Sequence, residues 1–124
     1  MVKSFRDLEV WQLGLDLVEA VYWRTARFPK SEIYGLAGQM RSAAVSIPSN
    51  VAEGQARSST KEFLRFLSFA LGSLAELETQ FELALSLEYG DEDIRAVMTQ
   101  AELLGRKLHC LQSSIQKRLP VTNH

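Results

Sequence analysis

The sequence predicts an all-α protein, an antiparallel up-down-up-down four-helix bundle whose second helix is kinked by a proline. Three observations carry that expectation. Apolar residues recur in steps of three and four through four separate segments, the spacing that puts them on one face of a helix. The breaks between segments are short and hold proline, glycine or helix-capping residues. No stretch alternates apolar and polar residues with period two, so no strand is expected. The expected helices span residues 5–27, 32–54, 60–88 and 92–119 of a single domain, 1–124. Short connections between helices of that length favour antiparallel packing of sequence neighbours.

In the first helix the expected core stripe is Leu8, Trp11, Leu15, Val18 and Tyr22, with Val10, Leu17 and Val21 as a second apolar stripe. Ser4 reads as the N-cap, and Asp7 and Glu9 sit in a first turn that favours acidic residues. Phe28 precedes Pro29 and ends the helix, because a residue before proline avoids the α region.

The second helix has three stripes. Leu36, Met40, Ala44, Ile47 and Val51 are its core face. Gly38, Ser42, Val45, Ser49 and Ala52 are mostly small, which lets another backbone come close. Gln39, Ala43, Ser46, Asn50 and Glu53 are largely polar and almost uncharged. Pro48 lies inside this helix, where it removes one backbone hydrogen bond and crowds the carbonyl of Ala44, at about 3 kcal/mol or a kink. Ser46, Ser49 and Asn50 are within local reach of the disturbed backbone.

Ser59 and Glu62 form a capping box ahead of the third helix, whose core stripe is Phe63, Leu67, Ala70, Leu74, Leu77, Phe81 and Leu85. Gly90 is suited to the left-handed position that closes it. Asp91 is the expected cap of the fourth helix, which carries Ile94, Val97, Ala101, Leu104, Leu108, Leu111 and Ile115 and stops at Pro120.

The segment from Ile33 to Ala52 holds one charged residue, Arg41, against about five expected at the chain's 23% charged content. A helix without a charged face implies burial on more than one side, which we read as self-assembly. The third helix puts Phe63, Phe66 and Phe69 around more than one face, and Leu64, Phe66 and Leu71 cannot all share the intramolecular seam, so an isolated chain is expected to expose apolar surface there. The candidate oligomer interface is therefore Gly38, Ser42, Val45, Ser49, Phe66 and Phe69.

Composition narrows the alternatives. With 14 basic and 15 acidic residues the net charge is −1, so nucleic-acid binding has no overall basic excess behind it and would need a local patch. The candidate patch is Arg57, Lys61 and Arg65, spaced by four around the start of the third helix, although Glu62 sits among them. The chain's start is charged and no apolar run reaches a membrane span, so a cytoplasmic protein with a reduced Cys110 is expected. A di-metal site needs Glu three residues before His, whereas Arg106 precedes His109. His109 reads as a surface or boundary residue and Cys110 as a packing residue. Arg118 and His124 match a helical nuclease spacing only formally, with Pro120 between them. No phosphate loop, hydrolase elbow or paired-cysteine motif is present. No cofactor, no metal, no catalytic residue and no membrane partner are expected.

FRDLEVWQ near the start, FPKSEIYGLAGQMRSAAVSIPSNVAEG in the middle and EFLRFLSFALGSLAELETQ in the third helix carry a family resemblance from Phe5 to about Leu119. The chain resembles the four-helix-bundle proteins first noticed as reading frames within intervening sequences of 23S ribosomal RNA genes in bacteria. That family is related to the accessory variability protein of diversity-generating retroelements. The resemblance implies a bundle that assembles into a ring, a pentamer, with no established enzymatic activity. It gives Gln39, Arg41, Ser46, Pro48, Asn50, Glu53 and Gly54 as a family motif of structural character. The retroelement relatives are basic and associate with nucleic acid and a reverse transcriptase, and this near-neutral chain departs from them. The expected function is a homo-oligomeric scaffold, beside ribosomal RNA or another nucleic-acid machinery, with a protein-binding ring free of nucleic acid as the alternative. A small-molecule site around Ser46, Asn50 and Glu53 is a third reading.

Overall fold

A computed structural model describes residues 4–90 and 92–119. Four helices account for most of them: α1 (Glu9–Thr25), α2 (Leu36–Gln55), α3 (Thr60–Ser86) and α4 (Glu92–Gln116). Single 3-10 turns at Phe5–Asp7 and Lys30–Glu32 precede α1 and α2. Each helix packs on its neighbours in sequence, and α1 also packs on α4, so the helices close a four-cornered bundle. Named contacts give the directions. The end of α1 meets the start of α2 through Arg41 and Thr25, and the end of α2 meets the start of α3 at Gly54 and Phe66. Ser68 of α3 meets Gln112 near the end of α4. Glu9 at the start of α1 meets Lys107 late in α4. Each pair is antiparallel, as expected.

The core stripes of α2, α3 and α4 are those read from the sequence. Met40, Ile47 and Val51, Leu67, Leu77 and Phe81, and Ile94, Leu104 and Leu108 are among the most deeply buried side chains. The α1 stripe is a correction. Val10, Gly14, Leu17 and Val21 face the core, while Leu15 is 39% and Tyr22 45% exposed. Both stripes are apolar, and the choice between them is made by Gly14. A Cβ there would lie 3.2 Å from the Cβ of Pro48, so the missing side chain lets α1 approach α2 at that level and turns Val10, Leu17 and Val21 inward.

The helix ends also differ from the expected bounds. Ser4 caps the 3-10 turn, its hydroxyl accepting from the N–H of Arg6 (3.2 Å), and α1 begins only after an extended Leu8. The start of α2 is held by Glu32, whose carboxylate accepts from the N–H of Leu36 (3.2 Å). Glu32 also accepts from the Tyr89 hydroxyl, which raises the pKa of that phenol and ties the α1–α2 connection to the end of α3. Ser59 caps α3 as expected, accepting from the N–H of Glu62 (3.2 Å). The cap expected at Asp91 and the stop expected at Pro120 lie outside the described residues, as does His124.

At the end of α3 the left-handed residue is Glu88 (φ 61°), not Gly90. The N–H of Tyr89 reaches back to Ala84 O (2.9 Å) and that of Glu88 to Leu85 O (3.1 Å), the paired bonds of a Schellman end. Gly90 serves close approach instead, since a Cβ there would fall 2.1 Å from Ile94 Cγ1. A side chain in the left-handed region costs about 1–2 kcal/mol. Glu88→Gly is therefore expected to raise stability by roughly 1 kcal/mol, seen as a higher urea midpoint with an unchanged slope.

Candidate interaction surface

The polar stripe of α2 divides between two tasks. Ser46 Oγ and Ser73 Oγ share a 2.7 Å hydrogen bond across the α2–α3 seam. Asn50 Nδ2 donates to Ser46 O (2.8 Å) and Ser46 Oγ (3.0 Å), and Ser49 Oγ donates to Val45 O (2.8 Å). These side chains serve the carbonyls just beyond Ala44, where Pro48 disturbs the ladder, and α2 remains helical through the proline. Pro48 itself is buried against Gly14. Gln39 and Glu53 are exposed, and Glu53 makes no hydrogen bond with the Ser46–Asn50 pair. The three residues of the small-molecule reading are thus not brought together.

Arg41, the lone charge of the segment, is engaged within the chain. Its Nε donates to Thr25 Oγ1 (2.9 Å), a second nitrogen reaches Tyr22 O (3.5 Å), and the guanidinium lies 4.7 Å from the Tyr22 ring centre. A cation over the last carbonyls of α1 is favourably placed against the helix dipole. Gly54 is buried because Phe66 and Phe63 of α3 press on it.

The small-residue stripe faces outward. Ser42 and Ser49 are exposed, Val45 is 41% exposed and Gly38 is half-buried. Beside this stripe, Trp11, Leu15 and Val18 of α1 and Val45, Pro48, Ser49 and Ala52 of α2 line a shallow groove of about 320 Å³ without a single charged group. Of the α1 stripe expected in the core, Leu8 is buried there, whereas Trp11, Leu15 and Val18 form one wall of this groove. Phe66 differs from expectation. It is only 9% exposed, because Gly54 leaves room for it under the end of α2. Phe69 is 45% exposed and stands edge-on to Phe66, ring centres 5.4 Å apart.

The three basic candidates gather around these rings. Arg57 lies over Phe66 (4.9 Å) and Arg65 over Phe69 (5.2 Å), and Arg65 also pairs with Glu62 (3.3 Å). Lys61 is exposed and makes no ion pair. Two of the three cations are thus held by aromatic faces rather than presented together as a clamp.

On the opposite side, Glu78 and Glu102 line a groove between α3 and α4. Burial, and then the charge of Glu102, raise the Glu78 pKa. A carboxylate with a raised folded pKa binds its proton more tightly when folded. Stability therefore improves as pH falls through that pKa, and the ionised form is a cost above it. Glu78→Gln is expected to raise the melting temperature by about 1 °C at pH 7, because the pair is partly screened by solvent. That gain should vanish below the ordinary carboxylate pKa of 4.5. His109 is exposed, as read, but so is Cys110, which corrects the packing assignment. Among the described residues, no three His, Cys, Asp or Glu side chains gather as a metal site, and no helix is long and apolar enough to cross a membrane.

The reading from sequence also missed Gln80, buried on α3, whose amide donates to Glu76 Oε1 at 3.4 Å while its own carbonyl oxygen has no partner. A single glutamine beside a helical core stripe gives no hint that it turns inward.

Comparison with known proteins places this arrangement. No curated protein matches the chain. A crystal structure of a protein of unknown function from the S23 ribosomal protein family of Bacteroides thetaiotaomicron has the same fold, with a TM-score of 0.76 at 21% identity, covering 84% of this chain and 95% of that one. The model of the 23S rRNA-intervening sequence protein family matches residues 6–110, the stretch that holds all four helices almost to the end of α4. The chain belongs to the 23S rRNA-intervening sequence protein family.

Proposed function

We propose that this chain is a non-enzymatic, homo-oligomeric helical scaffold. The observation that carries the reading is the outward face of α1 and α2, where Leu15 and Val45 stand about two-fifths exposed around an uncharged groove. Scattered apolar residues are ordinary on a surface, and what supports the reading here is that Trp11, Leu15, Val18, Val45, Pro48 and Ala52 are contiguous with no charged group among them. The ring, a pentamer, is the form the family resemblance implies. Assembly takes place in the cytoplasm in this reading, where the exposed Cys110 stays reduced. Light scattering behind a sizing column is expected to give a multiple of the 14.0 kDa chain mass at micromolar concentration. A monomer there overturns the proposal.

A second reading adds contact with ribosomal RNA or a nucleic-acid-processing protein. Its support is Lys61, exposed and unpaired between Arg57 and Arg65. Mobility shifts with ribosomal RNA fragments at two salt concentrations test it, since phosphate contacts weaken steeply as salt rises. Absence of salt-sensitive binding leaves the ring as a protein-binding assembly only.

A further inference from the structure

A pocket of about 190 Å³ opens between the last turn of α1, the α3–α4 connection and the first turn of α4. Four of its lining residues are charged: Arg24, Arg27, Glu88 and Asp93. They do not cancel in two pairs. Arg27 Nη1 donates to Asp93 Oδ2 at 2.6 Å, which matches one cation with one anion. Arg24 and Glu88 are left over, one from α1 and one from the connection. Among the described residues they make no ion pair, with each other or with any other group.

Neither unpaired residue is an ordinary surface charge. Arg24 is half-buried, and its Nε is enclosed with no hydrogen-bond partner. A guanidinium that water reaches only in part gains more from an added anion than a fully exposed one does. Glu88 stands in the left-handed region, at φ 61°. Glycine would hold that backbone at lower cost but would carry no carboxylate. Strain of this kind concentrates at ligand sites. The rest of the lining, Tyr89, Gly90 and Ile94, has no charge. The Tyr89 hydroxyl is already given to Glu32 and its ring packs on Phe28 (centres 5.5 Å apart), so Tyr89 is a fixed wall.

We infer that this pocket binds a small free α-amino acid, Arg24 taking its carboxylate and Glu88 its ammonium group. A simple anion would meet the repulsion of Glu88 and Asp93, and a simple cation that of Arg24 and Arg27. A molecule with one charge of each sign satisfies both unpaired residues and leaves the Arg27–Asp93 pair intact. The guanidinium fork also suits a carboxylate, which it grips with two parallel N–H donors. Size limits the rest of the ligand. A cavity of about 150 Å³ holds a benzene molecule, so about 190 Å³ suits one amino acid and not a peptide. The inference is independent of the oligomeric reading, and the ligand is held without being converted.

Amide chemical shifts with L-alanine, acetate and ethylamine as separate probes test it. L-Alanine is expected to shift the amides of Tyr89 and Gly90 saturably at roughly millimolar concentration. It is also expected to raise the melting temperature, because it binds only the folded chain. Acetate and ethylamine, each with one charge, are expected to bind about ten-fold more weakly or worse. Arg24→Gln and Glu88→Gln should each weaken alanine binding by about the same factor while helical circular dichroism stays unchanged. Glu88 is exposed, so Glu88→Gln reports on charge alone even where Arg24→Gln disturbs folding. In Glu88→Gln the preference for alanine over acetate is expected to vanish. The inference falls if wild type shows no saturable shift up to about 50 mM L-alanine. It falls equally if acetate binds as tightly as alanine, or if Glu88→Gln keeps the wild-type affinity.

Discussion

Phe81→Ala is expected to cost about 3–5 kcal/mol, the largest loss from a single truncation in this core. Phe81 is completely buried and lies on the α3–α4 side with Met98, so the loss combines the transfer energy of the ring with the cavity left behind. Domains of this size are stable by roughly 5–15 kcal/mol, so the variant is left near the margin, with a melting temperature lower by more than about 10 °C. Leu83→Ala, on the same helix but 48% exposed, is expected to cost well under 1 kcal/mol. Thermal melts of the two variants check the contrast. Equal losses would mean that α3 does not present these faces inward and outward as described.

The second large effect is a pair of opposite signs from one kind of substitution. Gly54→Ala places a Cβ 2.6 Å from the Cβ of Phe66. Both atoms sit next to backbone, so no rotamer change relieves the contact and α2 must move away from α3. Overpacking of this sort costs about 1–3 kcal/mol, against a helix-propensity gain of no more than about 1. Gly72→Ala meets nothing within 4 Å in the middle of exposed α3 surface. It is expected to add about 0.5–1 kcal/mol. Chemical denaturation reads both. Stabilisation by Gly54→Ala would contradict the close α2–α3 approach.

The fold was largely legible because α3 and α4 each carry an unbroken apolar stripe along their whole length, so their core faces could be read without knowing any neighbour. The α1 helix carries two. Hydropathy weighs Leu15 and Leu17 alike, and what decides between them is a glycine that scores as nothing on such a scale. The left-handed end of α3 was misplaced for a related reason. Gly90 is the residue that conformational preference favours, yet the helix runs out two residues earlier and Glu88 takes the strained position. Sequence spacing also showed that Ser46 and Asn50 were polar, uncharged and on one face. Ser73, the partner of Ser46, lies 27 residues beyond it, a contact no local pattern contains. Of the interface candidates, Val45, Ser49 and Phe69 are outward, whereas Phe66 was hidden by the space that Gly54 leaves.

The α2–α3 pair has the most extensive packing in the bundle, across a connection of only a few residues, and its small seam residues bring the two helices close. Contacts between adjacent segments close small loops, whereas the α1–α4 pair must bring opposite ends of the chain together. The central hairpin is thus the part of the molecule able to take shape while both ends are still loose. In rate terms, Ala70→Gly in α3 should slow folding, and Ile94→Val in α4 should chiefly hasten unfolding. Stopped-flow chevrons with the two effects reversed would place the nucleus at the termini instead.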